Sequence, residues 1–134
     1  MIGEFRRLQQ HSHPRGRVFE ILHPEHVGVA DFGQVYVFTV TPGQTKGDHY
    51  HTRKTEWFCV LSGEGVLDLC ERSTGTRESI PMSGEVPSVV RIPPGDAHAM
   101  RNVGQTELVV VAYITEPFSP ANPDTFPYQV ATAR

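Results

Sequence analysis

The feature that most constrains this chain is its punctuation. Runs rich in Val, Ile, Phe and Tyr are cut short by the stretches "TPG", "LSGEG", "STGT", "MSGE", "PPGD" and "VGQTE", and the 12 glycines and 11 prolines leave little room for longer elements. Gly adopts backbone angles that other residues avoid and Pro lacks an N–H, so both end regular structure. No run carries the three- and four-residue apolar spacing of a helix. The pattern predicts strands at Val18–Leu22, Gly33–Val40, Lys46–His51, Glu56–Ser62, Gly65–Cys70, Val89–Ile92, Ala97–Asn102 and Leu108–Ile114. So many short strands expose more unpaired backbone than an open sheet tolerates. The fold class is therefore all-β, a sandwich or barrel in which closure or sheet-on-sheet packing hides the edges.

At 134 residues the chain fits a single domain spanning 1–134, with a core over about residues 15–116 and a Pro-rich tail over 117–134. The tail, in "EPFSPANPDTFPYQVATAR", holds four prolines. Proline cannot donate to a central ladder, so this segment is expected to lie along an edge or wrap the surface.

Charge and hydropathy exclude several classes of function. The net charge is −3 and no Lys/Arg-rich run offers a surface for phosphates, which argues against a nucleic-acid partner. The N-terminal stretch "MIGEFRRLQQ" has no apolar core of a signal peptide, and no segment approaches the roughly eighteen apolar residues of a membrane span, so a cytoplasmic location is expected. Cys59 and Cys70 lie inside apolar runs without metal-type spacing and read as small core residues rather than a disulfide.

Against this background the histidines stand out. His49 and His51 are two apart in a predicted strand, so their side chains share a face. Glu56 opens the next strand after "TRKT", a connection short enough to return it beside them. A further imidazole, His98, follows the Pro-Pro-Gly turn of "RIPPGDAHAMRN". Three imidazoles and one carboxylate hold a first-row divalent cation and leave positions open for water or substrate. The chain contains its own comparison in "HSHP". His11 and His13 have the same spacing, but they precede the first predicted strand, lack a carboxylate at hairpin distance and run into Pro14, so they read as solvated.

These residues also carry a family resemblance. Gly43, His49, His51, Glu56 and Gly63 fit the first cupin motif at every defined position, and Pro93, Gly95, His98 and Asn102 fit the second. Eight residues rather than the usual five separate Gly84 from Pro93, a longer hairpin before the turn. The resemblance implies a single-domain cupin, a double-stranded β-helix or jelly-roll barrel, with His49, His51, Glu56 and His98 binding one divalent metal in its mouth. Over about residues 14–128, and most of all in "GDHYH", "IPPG", "NVG" and "PDTF", the chain is similar to the C-terminal cupin domain of bifunctional UDP-sugar epimerase/reductases of bacterial capsular polysaccharide synthesis. That domain epimerises C3 of a UDP-4-keto-6-deoxyhexosamine, using zinc; iron, manganese, nickel and cobalt suit the same donors. An attached Rossmann-type reductase then reduces the ketone. No Gly-x-Gly-x-x-Gly run occurs here, so a stand-alone epimerase without nicotinamide is implied, with the reductase a separate short-chain protein.

Epimerisation beside a ketone needs a base and a proton donor within reach of one carbon. The candidates are Tyr113 and Lys54 as catalytic groups, with Tyr36 and Glu20 behind them. "PRGRVFEIL" resembles an Arg-Gly-x-x-Phe-Glu strand of keto-sugar epimerases, which makes Arg15 and Glu20 candidates for contacting a nucleotide sugar, and Tyr36, on a predicted strand, is a further one. Pro14 stands where that pattern often has an acidic residue, and Arg15-Gly16 reads equally well as a turn into an edge strand. Cupins of this size commonly pair, so a homodimer is expected, with Arg15–Leu22 in an intermolecular sheet. The same ligand set also suits two other classes, an Fe(II) cupin dioxygenase and a non-catalytic cupin that binds a small ligand.

Overall fold

The structure, a computed structural model, describes residues 3–19, 21, 22 and 33–130. Its strands are β1 (Glu4–Arg7), β2 (His11–His13), β3 (Gly16–Val18), β4 (Gln34–Val40), β5 (Thr45–Tyr50), β6 (Glu56–Ser62), β7 (Glu64–Glu71), β8 (Thr76–Ser83), β9 (Ser88–Ile92), β10 (Asp96–Asn102), β11 (Leu108–Ile114) and β12 (Phe126–Pro127). They form two five-stranded antiparallel sheets, ordered β1-β9-β6-β11-β4 and β12-β5-β10-β7-β8, while β2 and β3 make a separate hairpin. Among the described residues no helix is long and apolar enough to cross a membrane.

The two sheets face each other, and strand parity decides what lies between them. Val40 of β4, Phe58 and Val60 of β6, Leu67 and Leu69 of β7, Met100 of β10, and Val110 and Ala112 of β11 meet in one buried cluster. The residues one position out of phase face away. Leu8, Trp57, Cys59, Val89 and Tyr113 form a second cluster on the outer face of the first sheet, and Phe19, Ile21 and Leu22 pack on it. Trp57 therefore lies outside and Phe58 inside. Both cysteines are buried and free.

Several strands depart from the sequence pattern. β8 contains Pro81, which a central ladder excludes, yet β8 ends its sheet and so has no neighbour on one side to receive that missing N–H. Among the described residues β1 is likewise terminal, pairing with β9. His11–His13, expected to precede the first strand, is one arm of a hairpin, with His11 exposed. Of the expected strand Val18–Leu22, only Val18 is in a strand among the described residues. The apolar side chains of Phe19, Ile21 and Leu22 pack on the chain's own outer cluster. The tail does lie along an edge, Phe126 and Pro127 pairing with Tyr50 and His49.

Candidate metal centre and cavity

Two turns and one bulge place the polar cluster. His49 is register-paired with His98 across β5 and β10, and the register slips immediately after His98. Gly47 sits beside the slip with φ 110°, and a Cβ there would lie 2.8 Å from the His98 carbonyl oxygen, so this close approach requires glycine. Gly95, with φ 90°, donates its N–H to the His51 carbonyl at 2.7 Å and so ties the Pro-Pro-Gly turn to the end of β5. Glu56 begins β6 opposite Ile92 and Ile114.

The ligand atoms of His49, His51, Glu56 and His98 consequently lie within 4.8 Å of one another. Glu56 is 1% exposed and His98 2%. Ring centroids are 4.8 Å apart for His49 and His98 and 5.1 Å for His49 and His51.

Hydrogen bonding fixes where the imidazole protons sit. His51 Nδ1 is 2.7 Å from the Asp124 carbonyl oxygen, and His98 Nδ1 is 3.3 Å from that of Asp96. A carbonyl oxygen only accepts, so both Nδ1 atoms carry protons. Their Nε2 atoms then converge on a single oxygen, Glu56 Oε1, at 3.0 Å from His51 and 3.2 Å from His98. His98 Nε2 makes no hydrogen bond there despite full burial, since the contact is close in distance only. Lone pairs facing a carboxylate at this range repel unless a positive charge stands between them. A proton on His51 meets part of that need, and a divalent cation meets all of it, so the donor set fits a metal.

The same contacts set the charge states of the group. Burial opposes charge on Glu56, but the hydrogen bond from His51, the adjoining His98 and the hydrogen bond from Tyr36 outweigh it and hold the carboxyl far below the usual range. Burial also opposes charge on His51, while its bonds to Glu56 and the Asp124 carbonyl raise it above its ordinary value. Burial, then the neighbouring His98 and His51, push His49 down to about 4, leaving it neutral at pH 7.

A cavity of about 320 Å³ opens over this cluster, lined by Gln34, Tyr36, His49, His51, Lys54 and Thr125 among others. A second, of about 270 Å³, shares Tyr36 and His49 with it and adds Phe38, Phe58 and His98. The cluster thus stands between two mainly apolar spaces that share Tyr36 and His49, each of a size for a small molecule.

The other candidate residues divide by location. Tyr36 points inward and donates its hydroxyl proton to Glu56 Oε2 in a short hydrogen bond. Burial and the adjoining carboxylate raise its pKa far above that of a free phenol, so it stays protonated. Lys54, in the connection between β5 and β6, is 3% exposed and lines the cavity, with Nζ donating to the Pro123 carbonyl at 3.1 Å. Tyr113 is on the wrong face to reach the cavity. Val110 and Ala112 point inward, so Tyr113 points out, where it packs 5.7 Å from Trp57 and accepts the Gly33 N–H at 3.0 Å. Arg15 is exposed in the β2–β3 turn and lines neither cavity. Glu20 lies outside the described residues.

Asp124 and Thr125 carry weight that no local pattern announced. The Asp124 side chain accepts hydrogen bonds from the N–H groups of Thr52 and Arg53, each at 3.0 Å, and a short one from Thr52 Oγ1. Burial works against its charge, but these bonds prevail and hold its carboxyl at about 2. The only sequence trace is "PDTF", which marks the resemblance without revealing its role.

A jelly roll with three imidazoles and a carboxylate gathered inside its mouth is a cupin. This one belongs to the family described as the polysaccharide biosynthesis C-terminal domain, whose profile matches residues 11–126. It is 39% identical over 119 residues to a UDP-2-acetamido-2,6-beta-L-arabino-hexul-4-ose reductase of Pseudomonas aeruginosa, covering 89% of this chain but 31% of the relative. It is 30% identical over 124 residues to the spore coat polysaccharide biosynthesis protein SpsL of Bacillus subtilis, covering 89% of this chain and 82% of that protein. Among solved structures, the capsular polysaccharide assembling protein CapF of Staphylococcus aureus matches with a TM-score of 0.72 at 35% identity, over 92% of this chain and 34% of its own. The chain thus spans about a third of the length of the Pseudomonas and Staphylococcus proteins. A dTDP sugar isomerase of Desulfovibrio desulfuricans, with a TM-score of 0.80 at 20% identity over 97% of this chain and 83% of its own, shares the fold.

Proposed function

We propose that this domain is a metal-dependent nucleotide-sugar epimerase of bacterial surface polysaccharide biosynthesis, inverting the carbon beside a keto group. The substrate class is a UDP-4-keto-6-deoxyhexosamine and the inverted centre C3. The observation that carries this reading is the convergence of two Nε2 atoms and one carboxylate oxygen at a cavity that is also lined by a buried amine and a half-buried phenol. The relatives named for a hexul-4-ose reductase and for capsular polysaccharide assembly support the substrate class.

His49, His51, Glu56 and His98 would hold the metal, zinc by resemblance. When bound, it supplies Lewis-acid polarisation of the substrate ketone, which acidifies the neighbouring C–H. The residues of the chain do the rest. Lys54, from the cavity wall, takes the proton from C3. Tyr36, kept protonated by burial and by Glu56, returns a proton to C3 from the other side, and solvent restores both groups. One C–H bond breaks and one forms, the ketone persists, and no electrons are gained or lost, so nicotinamide has no part. Reduction of the retained ketone falls to a separate short-chain reductase or a reductase domain.

The test is deuterium exchange. Zinc-loaded protein incubated with a UDP-4-keto-6-deoxyhexosamine in deuterated water should place deuterium at C3, read by NMR, with no nicotinamide added. Absence of uptake with both UDP and dTDP keto sugars removes the epimerase reading, and dioxygen consumption in the same preparation would mark an Fe(II) oxygenase instead.

A further inference from the structure

His51 is gripped from the side away from the cluster, and the grip comes from the far end of the chain. The Asp124 carbonyl takes the His51 Nδ1–H at 2.7 Å. The same residue's carboxylate takes the N–H groups of Thr52 and Arg53 at 3.0 Å each. Its main chain therefore fixes the imidazole while its side chain fixes the backbone that follows. Asp124 has φ 49°, in the left-handed region that Asp tolerates better than most residues.

The surrounding tail holds this arrangement in place. Lys54 Nζ donates to the Pro123 carbonyl at 3.1 Å, and Phe126 and Pro127 pair with Tyr50 and His49. Further along, the N–H groups of Tyr128 and Val130 both donate to Asp48, at 2.8 Å each, and Arg77 donates to the Val130 carbonyl at 2.6 Å. Val130 itself is 1% exposed. A tail tied so closely to both histidines of one strand controls more than an edge.

We propose that Asp124 is a positioning residue for the metal centre, with Pro123–Val130 as a strap that locks His51 with its proton on Nδ1 and its Nε2 aimed into the cluster. The inference rests on the metal reading of the site. Because coupling between two binding events is reciprocal, the strap strengthens metal binding and bound metal holds the strap down.

The experiment uses the full chain carrying Asp124→Ala, Asp124→Asn or Thr52→Val. Proton NMR reads the His51 Nδ1–H resonance, which hydrogen bonding to the Asp124 carbonyl should protect from solvent exchange in the wild type. Competition with a chromophoric chelator reads zinc affinity. Asp124→Ala keeps the main-chain carbonyl but frees it from its anchors on Thr52 and Arg53, so it is expected to weaken protection of the resonance and to weaken zinc binding by up to the roughly 10- to 100-fold of a lost outer-sphere partner. Asp124→Asn, which keeps an acceptor oxygen, should fall between, and Thr52→Val should shift in the same direction with the tail unaltered. Circular dichroism establishes folding, and if Asp124→Ala does not fold the other two variants decide. A protected Nδ1–H together with zinc affinity within twofold of wild type in the folded variants overturns the proposal. A wild type that binds no zinc overturns the metal reading alone, and the resonance still decides the role of Asp124.

Discussion

Tyr36 donates its hydroxyl proton to Glu56 Oε2, while Oε1 of the same carboxylate faces His51 and His98. One residue of the cluster thus spends its two oxygens on different tasks, one toward the proposed cation and one toward the cavity phenol. Removing the phenol should leave the first task intact. Tyr36→Phe is expected to bind zinc with near wild-type stoichiometry and to slow C3–deuterium exchange by about 10²–10⁴, the range for loss of a positioned proton donor. Metal analysis and NMR exchange on one preparation check both halves, and exchange at the wild-type rate would remove Tyr36 from the reaction.

The cation itself should contribute to stability. A ligand that binds only the folded state stabilises it by about 4 kcal/mol at a thousandfold excess over Kd. Stripping wild-type protein with a chelator should lower its melting temperature, and readdition should restore it. His51→Ala removes an imidazole whose Nε2 lies 3.0 Å from Glu56, so the gap in stability between loaded and stripped protein should shrink or close. Unchanged metal stoichiometry in that variant would place the metal elsewhere.

The two cysteines make a simple check on the packing. Cys59 is 0% exposed, and burial pushes its thiol up to about 11, with a backbone hydrogen bond at Ser88 offsetting only part of that. Below that pH the group is the unreactive thiol rather than the thiolate. A thiol reagent at pH 8 should therefore leave Cys59 unmodified in folded protein and label it after denaturation, as mass spectrometry of the peptides would show. Rapid labelling of the native chain would contradict the burial of β6.

Legibility in the sequence followed the range of the contacts. The four proposed ligands could be read because strand parity, a hairpin-length loop and a turn are local features, and the structure gathers all four. Tyr113 could not be placed because β11, "LVVVAYI", is apolar on both faces, so alternation carries no sign of which side is inside. Lys54 reads as solvated within "TRKT", and its burial depends on Pro123, a residue 69 positions away. The same holds for Asp124, 73 positions from His51. β8 was hidden by Pro81, which is acceptable only because that strand closes its sheet, a fact of topology rather than of local pattern.

Assembly is the next expectation. β4 ends the first sheet, and its outer face shows Val35 and Val37, 54% and 59% exposed, beside half-buried Val111. An edge that no described strand pairs, next to exposed valines, is a surface that a second copy can cover. Sedimentation at micromolar concentration should give twice the chain mass of 14.9 kDa, and Val37→Lys should shift the population to monomer. A wild-type monomer would remove the pairing.

Lys54 provides the sharpest test of the proposed chemistry, because two explanations for its burial predict different outcomes. If it only anchors the strap through the Pro123 carbonyl, then Lys54→Met loses one hydrogen bond and leaves a carbonyl short of a donor, a cost of about 1–3 kcal/mol, while the cavity chemistry continues. If its amine takes the C3 proton, Lys54→Met should slow exchange by about 10²–10⁴ with zinc still bound. Lys54→Arg separates the two further. A guanidinium can still donate to the Pro123 carbonyl but stays charged at every accessible pH, so it keeps the anchor and cannot accept a proton. The expected result is near wild-type melting with exchange as slow as in Lys54→Met. Exchange in Lys54→Arg within threefold of wild type would reduce Lys54 to an anchor and require another base from the cavity wall.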